Sequence, residues 1–500
     1  MTPTEDKPVS PGVAPGQSGS DDIDKLRKWQ EERLERKLRS EYESYIRNLT
    51  ELIHDSADSP ARITSVKIDG TPNTRTSFLA SIVNKHIPTT GMTSTLGPHE
   101  TLLNALHTSR HITAALNSTG IFTSVTPTLE ASSSPYAALY DYALHFRVRE
   151  RGRFFLKSST DIGSNNDGSA SITARIRNAF GGAETVEGAL AFGSTTTRSG
   201  NLRCEWPVLV GTGELSSNGD RSVQGEIGLF GLEKDETWYA SVREGVKGFR
   251  ACLRGHSFFG AHELAYEAAI RHIKDVDPNA SLSMRQSAGY TSKSSISHTL
   301  TRDTRDDSLQ GTRGSYLRYF QELAGLGGDA AFFKTESDSR YSRAIGGGYT
   351  LSLSGRTGFL YPLYGRPSLF NDRFQLGGAT NLRMFRPNGM GPRDRKDSVG
   401  GDMYWAVGAS IIGPLPRKPN WPLKTHLFVN AGRLDTYDTR KSSLEQMARS
   451  LSTPSISAGI GLVYMLNPVR VELNFGVPIA ASVSDGIRKG VQFGIGMDFL

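Results

Sequence analysis

The sequence predicts a mainly β chain: an antiparallel transmembrane β-barrel of about 16 strands, preceded by one small α/β domain of order β-α-α-β-β. Three observations carry this reading. After Arg153 the chain becomes a long series of segments in which apolar residues alternate with Gly, Ser and charged residues. No run of 18 or more apolar residues occurs, so a membrane would have to be crossed by strands. Before Arg153 the pattern is different: two stretches with helical spacing lie among short strands. The length of 500 residues allows more than one structural unit.

Residues 1–20 are rich in Pro, Gly and Ser and read as a disordered tail. From Asp21 to Glu41, fourteen of 21 residues are charged, and Leu34, Leu38, Tyr42, Ile46, Leu49 and Ile53 follow at helical spacing. Residues 21–58 therefore read as a charged amphipathic helix. The N-terminus has no basic n-region and no apolar core, so it does not read as a secretory signal, and its acidic residues do not suit an Arg-rich presequence.

Residues 59–150 form the small domain. ITSVKIDG (63–70) is a strand ending in a turn. Phe78, Leu79, Ile82, Val83 and Ile87 mark a first helix, and Leu102, Leu103, Leu106, Ile112, Ala115 and Leu116 mark the inward stripe of a second, stopped at Gly120. IFTSV (121–125) is a strand. In the last strand Tyr140, Tyr142, Leu144, Phe146 and Val148 alternate with Asp141, His145, Arg147 and Arg149.

The barrel occupies residues 151–500. Val186, Gly188, Leu190 and Phe192 share one face; so do Trp405, Val407, Ala409 and Ile411. The same holds for Ile456 to Tyr464, Val469 to Val477, and Val491 to Phe499, each at every second residue. Strands of about 9–11 residues suffice to cross a bilayer when tilted. A mean hydropathy of −0.38 does not oppose this, because lumen-facing polar residues offset the lipid-facing apolar ones.

Composition excludes more than it selects. Two cysteines, Cys204 and Cys252, rule out a disulfide scaffold. The chain has no HExxH, GxSxG, P-loop or CxxC motif, its eleven histidines are scattered, and AGLGGDAAF (324–332) reads as loop or strand. No enzyme, metal or cofactor is expected. The net charge of +7 is mild, and basic residues are not interleaved with aromatics on one sheet face, so no nucleic-acid partner is expected.

The stretch FQLGGATNLRMFRPNGMGPRD (374–394) lies late in the chain among these strands, rich in Gly and Arg. It is followed by GGDMYW (400–405), HLFVNAG (426–432) and a C-terminal phenylalanine strand. SISHTLTRDTRDDSLQGTRGSYL (295–317) precedes it. With these motifs, residues 60–500 resemble the superfamily of polypeptide-transport-associated (POTRA) domains fused to 16-stranded outer-membrane barrels, which includes the bacterial surface antigen family. Within it the chain is similar to the mitochondrial branch, the central barrel subunit of the sorting and assembly machinery.

The resemblance implies a role in inserting β-barrel precursor proteins into the mitochondrial outer membrane. It implies as partners those precursors, membrane lipid and two cytosol-facing accessory subunits, with the POTRA domain in the intermembrane space. A homo-oligomer or an association with other outer-membrane barrels stays open. It also implies a lateral seam between the first strand (about 152–161: Phe154, Leu156, Lys157) and the last (about 490–500), where Gln492, Gly494, Met497 and Phe499 fit a sorting-signal pattern. The quoted loop is then expected to fold into the lumen, with Phe374, Gly377, Gly378, Arg383, Phe385, Gly389, Gly391 and Arg393 as its marked residues. A buried Arg383 needs a carboxylate or carbonyl partner; Asp402 and Glu472 are both candidates. Met384 stands where the family carries glycine, a residue that tolerates left-handed backbone angles better. Barrel patterning alone also fits a passive solute pore or a polypeptide-secretion transporter.

Overall fold

The computed structural model describes residues 51, 55–87, 101–133, 135, 137–162, 168–209, 223–309, 311–418, 421–438, 440–466, 469–496 and 499–500. The tail, nearly all of the expected 21–58 helix and Met497 lie outside the described residues.

The small domain comprises β1 (Arg62–Asp69), α1 (Thr76–Asn84), α2 (Leu102–Ser118), β2 (Phe122–Ala131) and β3 (Asp141–Glu150). Its three strands form a sheet of order β1-β3-β2. Leu79, Ile82 and Val83 of α1 are buried, as are Leu144, Phe146 and Val148 of β3. The buried stripe of α2 runs through Ala105, Ser109, Ile112, Ala115 and Leu116, whereas Leu103 and Leu106 are exposed. This corrects the expected stripe: spacing of three and four residues fits both faces at the start of α2, and the smaller residues took the inward one. Asp141 is buried and accepts a two-pronged bond from Arg62 (2.7 and 2.8 Å), which holds its carboxyl below the usual carboxylate range.

The remaining chain forms one 16-stranded antiparallel sheet, the barrel. Its first half contains β4 (Phe154–Ile162), β5 (Gly168–Arg177), β6 (Thr185–Gly193), β7 (Thr196–Leu209), β8 (Val223–Asp235), β9 (Arg243–Ser257), β10 (Gly260–Lys274) and β11 (Gly289–Asp303). Then come β12 (Gly314–Gly328), β13 (Phe332–Gly346) and β14 (Tyr349–Pro362). A small hairpin, β15 (Arg393–Asp394) and β16 (Asp397–Ser398), lies in the long connection that follows. The sheet resumes with β17 (Met403–Pro414), β18 (Leu423–Asp435), β19 (Ser455–Leu466), β20 (Val469–Ala480) and β21 (Gly490–Gly496). Neighbours in sequence are neighbours in the sheet, except that β14 pairs with β17 across that connection. The edges are β4 and β21.

The packing is inverted relative to a soluble sandwich. Leu427, Val429, Phe475 and Val477 are more than half exposed, while Glu472, Asn474, Asn430 and Gln492 on the opposite face are buried. Apolar side chains thus face outward and polar ones inward, as the lipid and the lumen of a membrane barrel require. Backbone groups in the sheet are satisfied strand to strand, the condition for spanning hydrocarbon without helices.

On the lumen face, β5 to β12 carry a continuous belt of ion pairs. Arg175 and Arg203 share Glu187; Arg203 also reaches Glu205 at 3.5 Å. Arg254 binds Glu226 and Glu263, each at 2.7 Å, and Arg250 binds Glu263 at 2.5 Å. Lys293 closes the run between Glu267 (3.0 Å) and Glu322 (2.9 Å).

Two further points differ from the sequence reading. The last strand is described from Gly490 to Gly496, and Phe499 lies off it, buried rather than facing lipid. The marked loop is part of a longer connection, residues 363–402, that begins before Phe374 and ends after Asp394.

Candidate functional site

The 363–402 connection joins β14 to β17, and its centre packs against the polar inner face of β18 to β21. Gly377 and Gly378 have φ of 110° and 112°. A Cβ at Gly377 would sit 2.5 Å from the Arg386 carbonyl oxygen, so only glycine permits this return of the chain on itself. Phe374, Leu382, Arg383, Met384, Phe385 and Met390 are all buried.

Arg383 is the centre of the site. Its guanidinium donates to both carboxylate oxygens of Glu472 (2.9 and 3.1 Å) and to the carbonyl oxygen of Leu500 (2.7 Å). The two side chains are 1% and 0% exposed. Arg470 also pairs with Glu472, and the Asn474 amide donates to it at 2.9 Å. The Arg383 guanidinium lies 5.3 Å from the Phe428 ring and 5.7 Å from the Phe499 ring, and Arg470 lies 5.0 Å from Phe499. Two cations around one acid are thus distributed over a carboxylate, a carbonyl and aromatic faces, which is what desolvated guanidinium groups require.

Of the two candidate partners, Arg383 takes Glu472. Asp402 is engaged elsewhere: it lies 3.8 Å from Arg373 and accepts the Tyr437 N–H at 3.1 Å. The placement of the loop makes the choice: it sets Arg383 over Glu472 on the lumen face of β20, whereas Asp402 lies just before β17.

Backbone bonds extend the grip. Ser457 of β19 donates to the Arg383 carbonyl oxygen (2.8 Å). Gln492 of β21 accepts the Met384 N–H (2.8 Å) and donates to the Phe385 carbonyl oxygen (3.1 Å). Arg386 N–H donates to Gly486 and Gly486 N–H returns to Gly389, both at 2.7 Å, tying the loop to the β20–β21 turn. Gly391 N–H donates to Asp485 (2.9 Å), and Arg393 to the Gly389 carbonyl (2.9 Å). Met384 itself adopts φ 67° with its side chain fully buried. The left-handed angle that suits glycine is kept here by a methionine held from all sides.

Sequence reasoning missed a second set of anchors. Arg271 of β10 donates to both oxygens of Asp372 (2.6 and 3.2 Å), and both side chains are 5% exposed. Asp397 accepts from Ser241 (2.6 Å) and from the Ser281 N–H (2.7 Å); Asp394 accepts from the Ser283 N–H and hydroxyl (3.0 and 2.7 Å). Arg271 faces inward beside Ala269 and Ile273, and a lone charge at such a position was the available signal.

The two sheet edges differ. β4 exposes Phe154 and Leu156 on its outer face and Lys157 on its inner one. On β21, Gln492 clamps the loop, and a Cβ at Gly494 would lie 2.6 Å from the Ala379 Cβ. Among the described residues no ladder joins β4 to β21.

The Omp85 superfamily domain matches residues 178–499. A SAM50-like protein of Schizosaccharomyces pombe is 33% identical, over 92% of this chain and 95% of that one. The sorting and assembly machinery component 50 homolog of Homo sapiens is 30% identical, over 80% of this chain and 84% of its own. Among solved structures, BamA from Haemophilus ducreyi lacking POTRA domains 1–3 superposes with a TM-score of 0.66 at 15% identity, covering 87% of this chain and 84% of that one. With that family match and these relatives over most of its length, the chain belongs to the Omp85 superfamily, on its SAM50 branch.

Proposed function

We propose that this chain inserts and assembles β-barrel precursor proteins into the mitochondrial outer membrane by opening the seam between β4 and β21. The observation that carries this reading is the pair of sheet edges with no ladder between them among the described residues. Each unpaired backbone group in hydrocarbon costs several kcal/mol. An incoming strand escapes that cost by pairing with an edge already at membrane depth. Phe154, Leu156 and Lys157 mark the receiving edge. Gln492 and Gly494 mark the strand that a precursor's terminal strand would displace.

The loop supports insertion over a passive pore, since a conduit for small solutes has no use for a fully buried arginine clamp across its interior. On this reading the small domain lies in the intermembrane space, and two accessory subunits cover the cytosolic end.

The test uses the full chain with Cys204→Ala and Cys252→Ala. One cysteine is placed at Leu156 and another in the terminal strand of an imported precursor. A disulfide that appears transiently during import is expected; its absence, with import still proceeding, sinks the gate. Purified chain in liposomes should also speed folding of a barrel precursor, and failure there removes the insertase reading itself.

A further inference from the structure

The lipid-facing surface is not uniform. Across the outer face of β6 to β11 it opens into a groove of about 600 Å³. Leu190 and Phe192 form one wall; Ile270 and Tyr290 form the other. The floor is low because Gly200 of β7 pairs directly with Gly231 of β8, and antiparallel partners share a face.

Lys247 of β9 stands next in the same row, paired with Gly231 on one side and Ile270 on the other. Its stem lies over the floor, with Cγ 3.8 Å from where a Cβ of Gly231 would stand. The nearby acid is already occupied: Glu233 binds Arg198 (3.2 Å) and Lys274 (2.7 Å). Among the described residues the Lys247 side chain has no hydrogen bond or ion pair. It is an exposed cation between apolar neighbours on a face turned to lipid, a position that is costly unless the charge reaches a counter-charge.

We propose that the groove binds an anionic glycerophospholipid of the surrounding bilayer, one acyl chain lying over Gly200 and Gly231 and the phosphate held by Lys247. An apolar trough that ends at Lys247, beside a cluster carrying two cations for one acid, matches an acyl chain ending in a phosphate. A protein segment would need partners for its backbone at that depth, and Leu190, Phe192 and Ile270 on the walls offer none. The Arg198–Glu233–Lys274 cluster, one step nearer the strand ends, then meets the headgroup region.

The experiment uses the full chain in phosphatidylcholine nanodiscs doped with phosphatidylserine carrying a photoactivatable acyl chain. Label is expected to concentrate on peptides from β7 to β10 and to be competed by unlabelled phosphatidylserine, but not by inorganic phosphate or phosphatidylcholine. Lys247→Gln should lower that label about fivefold, the worth of one lysine near an anionic surface. Gly231→Leu, which fills the floor, should lower it as well. Heat-modifiable mobility on gels checks that each variant is folded. Label spread evenly over the lipid-facing strands, label indifferent to Lys247→Gln, equal competition by phosphatidylcholine, or cross-links to a second protein in place of lipid would each overturn the proposal.

Discussion

On the C-terminal flank of the seam, Ser457, Glu472, Asn474 and Gln492 are all 1% exposed or less, and Ser457, Glu472 and Gln492 bond directly to the loop. On the N-terminal flank, β4 is open on both faces, with Phe154 78% and Phe155 42% exposed. The ion-pair belt starts one strand later, at Arg175 of β5. β4 is therefore outside the belt, while β19 to β21 are stiffened by the loop. For the proposed seam, this asymmetry makes β4 the flank without side-chain braces to the loop or the belt, and ties β21 to the loop.

The largest test of this contrast is Arg383→Ala. It leaves Glu472 buried with one cation fewer and should cost about 3–5 kcal/mol, read as loss of heat and urea resistance of the folded barrel in detergent. Arg383→Lys keeps the charge but not the fork and should fall between. Wild-type resistance in Arg383→Ala would break the claim that the C-terminal flank is braced.

Met384→Ala should cost about 2–3 kcal/mol through lost burial. Met384→Gly should be less damaging than alanine by about 1 kcal/mol, because it relieves the left-handed backbone. The same denaturation curves report both, and alanine ranking above glycine would show that the positive φ carries no strain. Gly494→Val pushes a side chain into Ala379 and should cost about 1–3 kcal/mol, with faster hydrogen exchange in β21. Lys157→Ala on β4 should change stability by less than about 0.5 kcal/mol. A large loss there would mean that the open flank is braced after all.

Much of the fold was legible because membrane strands advertise themselves by parity. Val471 and Leu473 out, Glu472 in, needs only the period of two. The order of the small domain followed from switches between periods. The partner of Arg383 was not legible. Asp402 and Glu472 carry the same charge, and only the placement of a loop 89 residues away from Glu472 in sequence decides between them. The same holds for Arg271 and Asp372, 101 residues apart. The fate of Phe499 was hidden for another reason: its spacing continues the strand pattern, but two guanidinium groups in the lumen offer its ring a better neighbour than the next position on the sheet. Met384 shows a limit of residue preference, since dense packing enforced an angle that its type disfavours.

Strand length carries one more consequence. β9 to β13 have 15 residues each, whereas β6, two strands from the β4 edge, has 9. At a tilt near 40° these rise about 39 and 23 Å along the membrane normal, against a hydrocarbon core of about 30 Å. Lipids beside the long wall meet a full-height surface, but those beside β6 must shorten or splay to match theirs. The bilayer is then thinner toward the side of the barrel that carries the proposed seam, so a short wall would lower the barrier in the solvent while the edge offers a template in the protein.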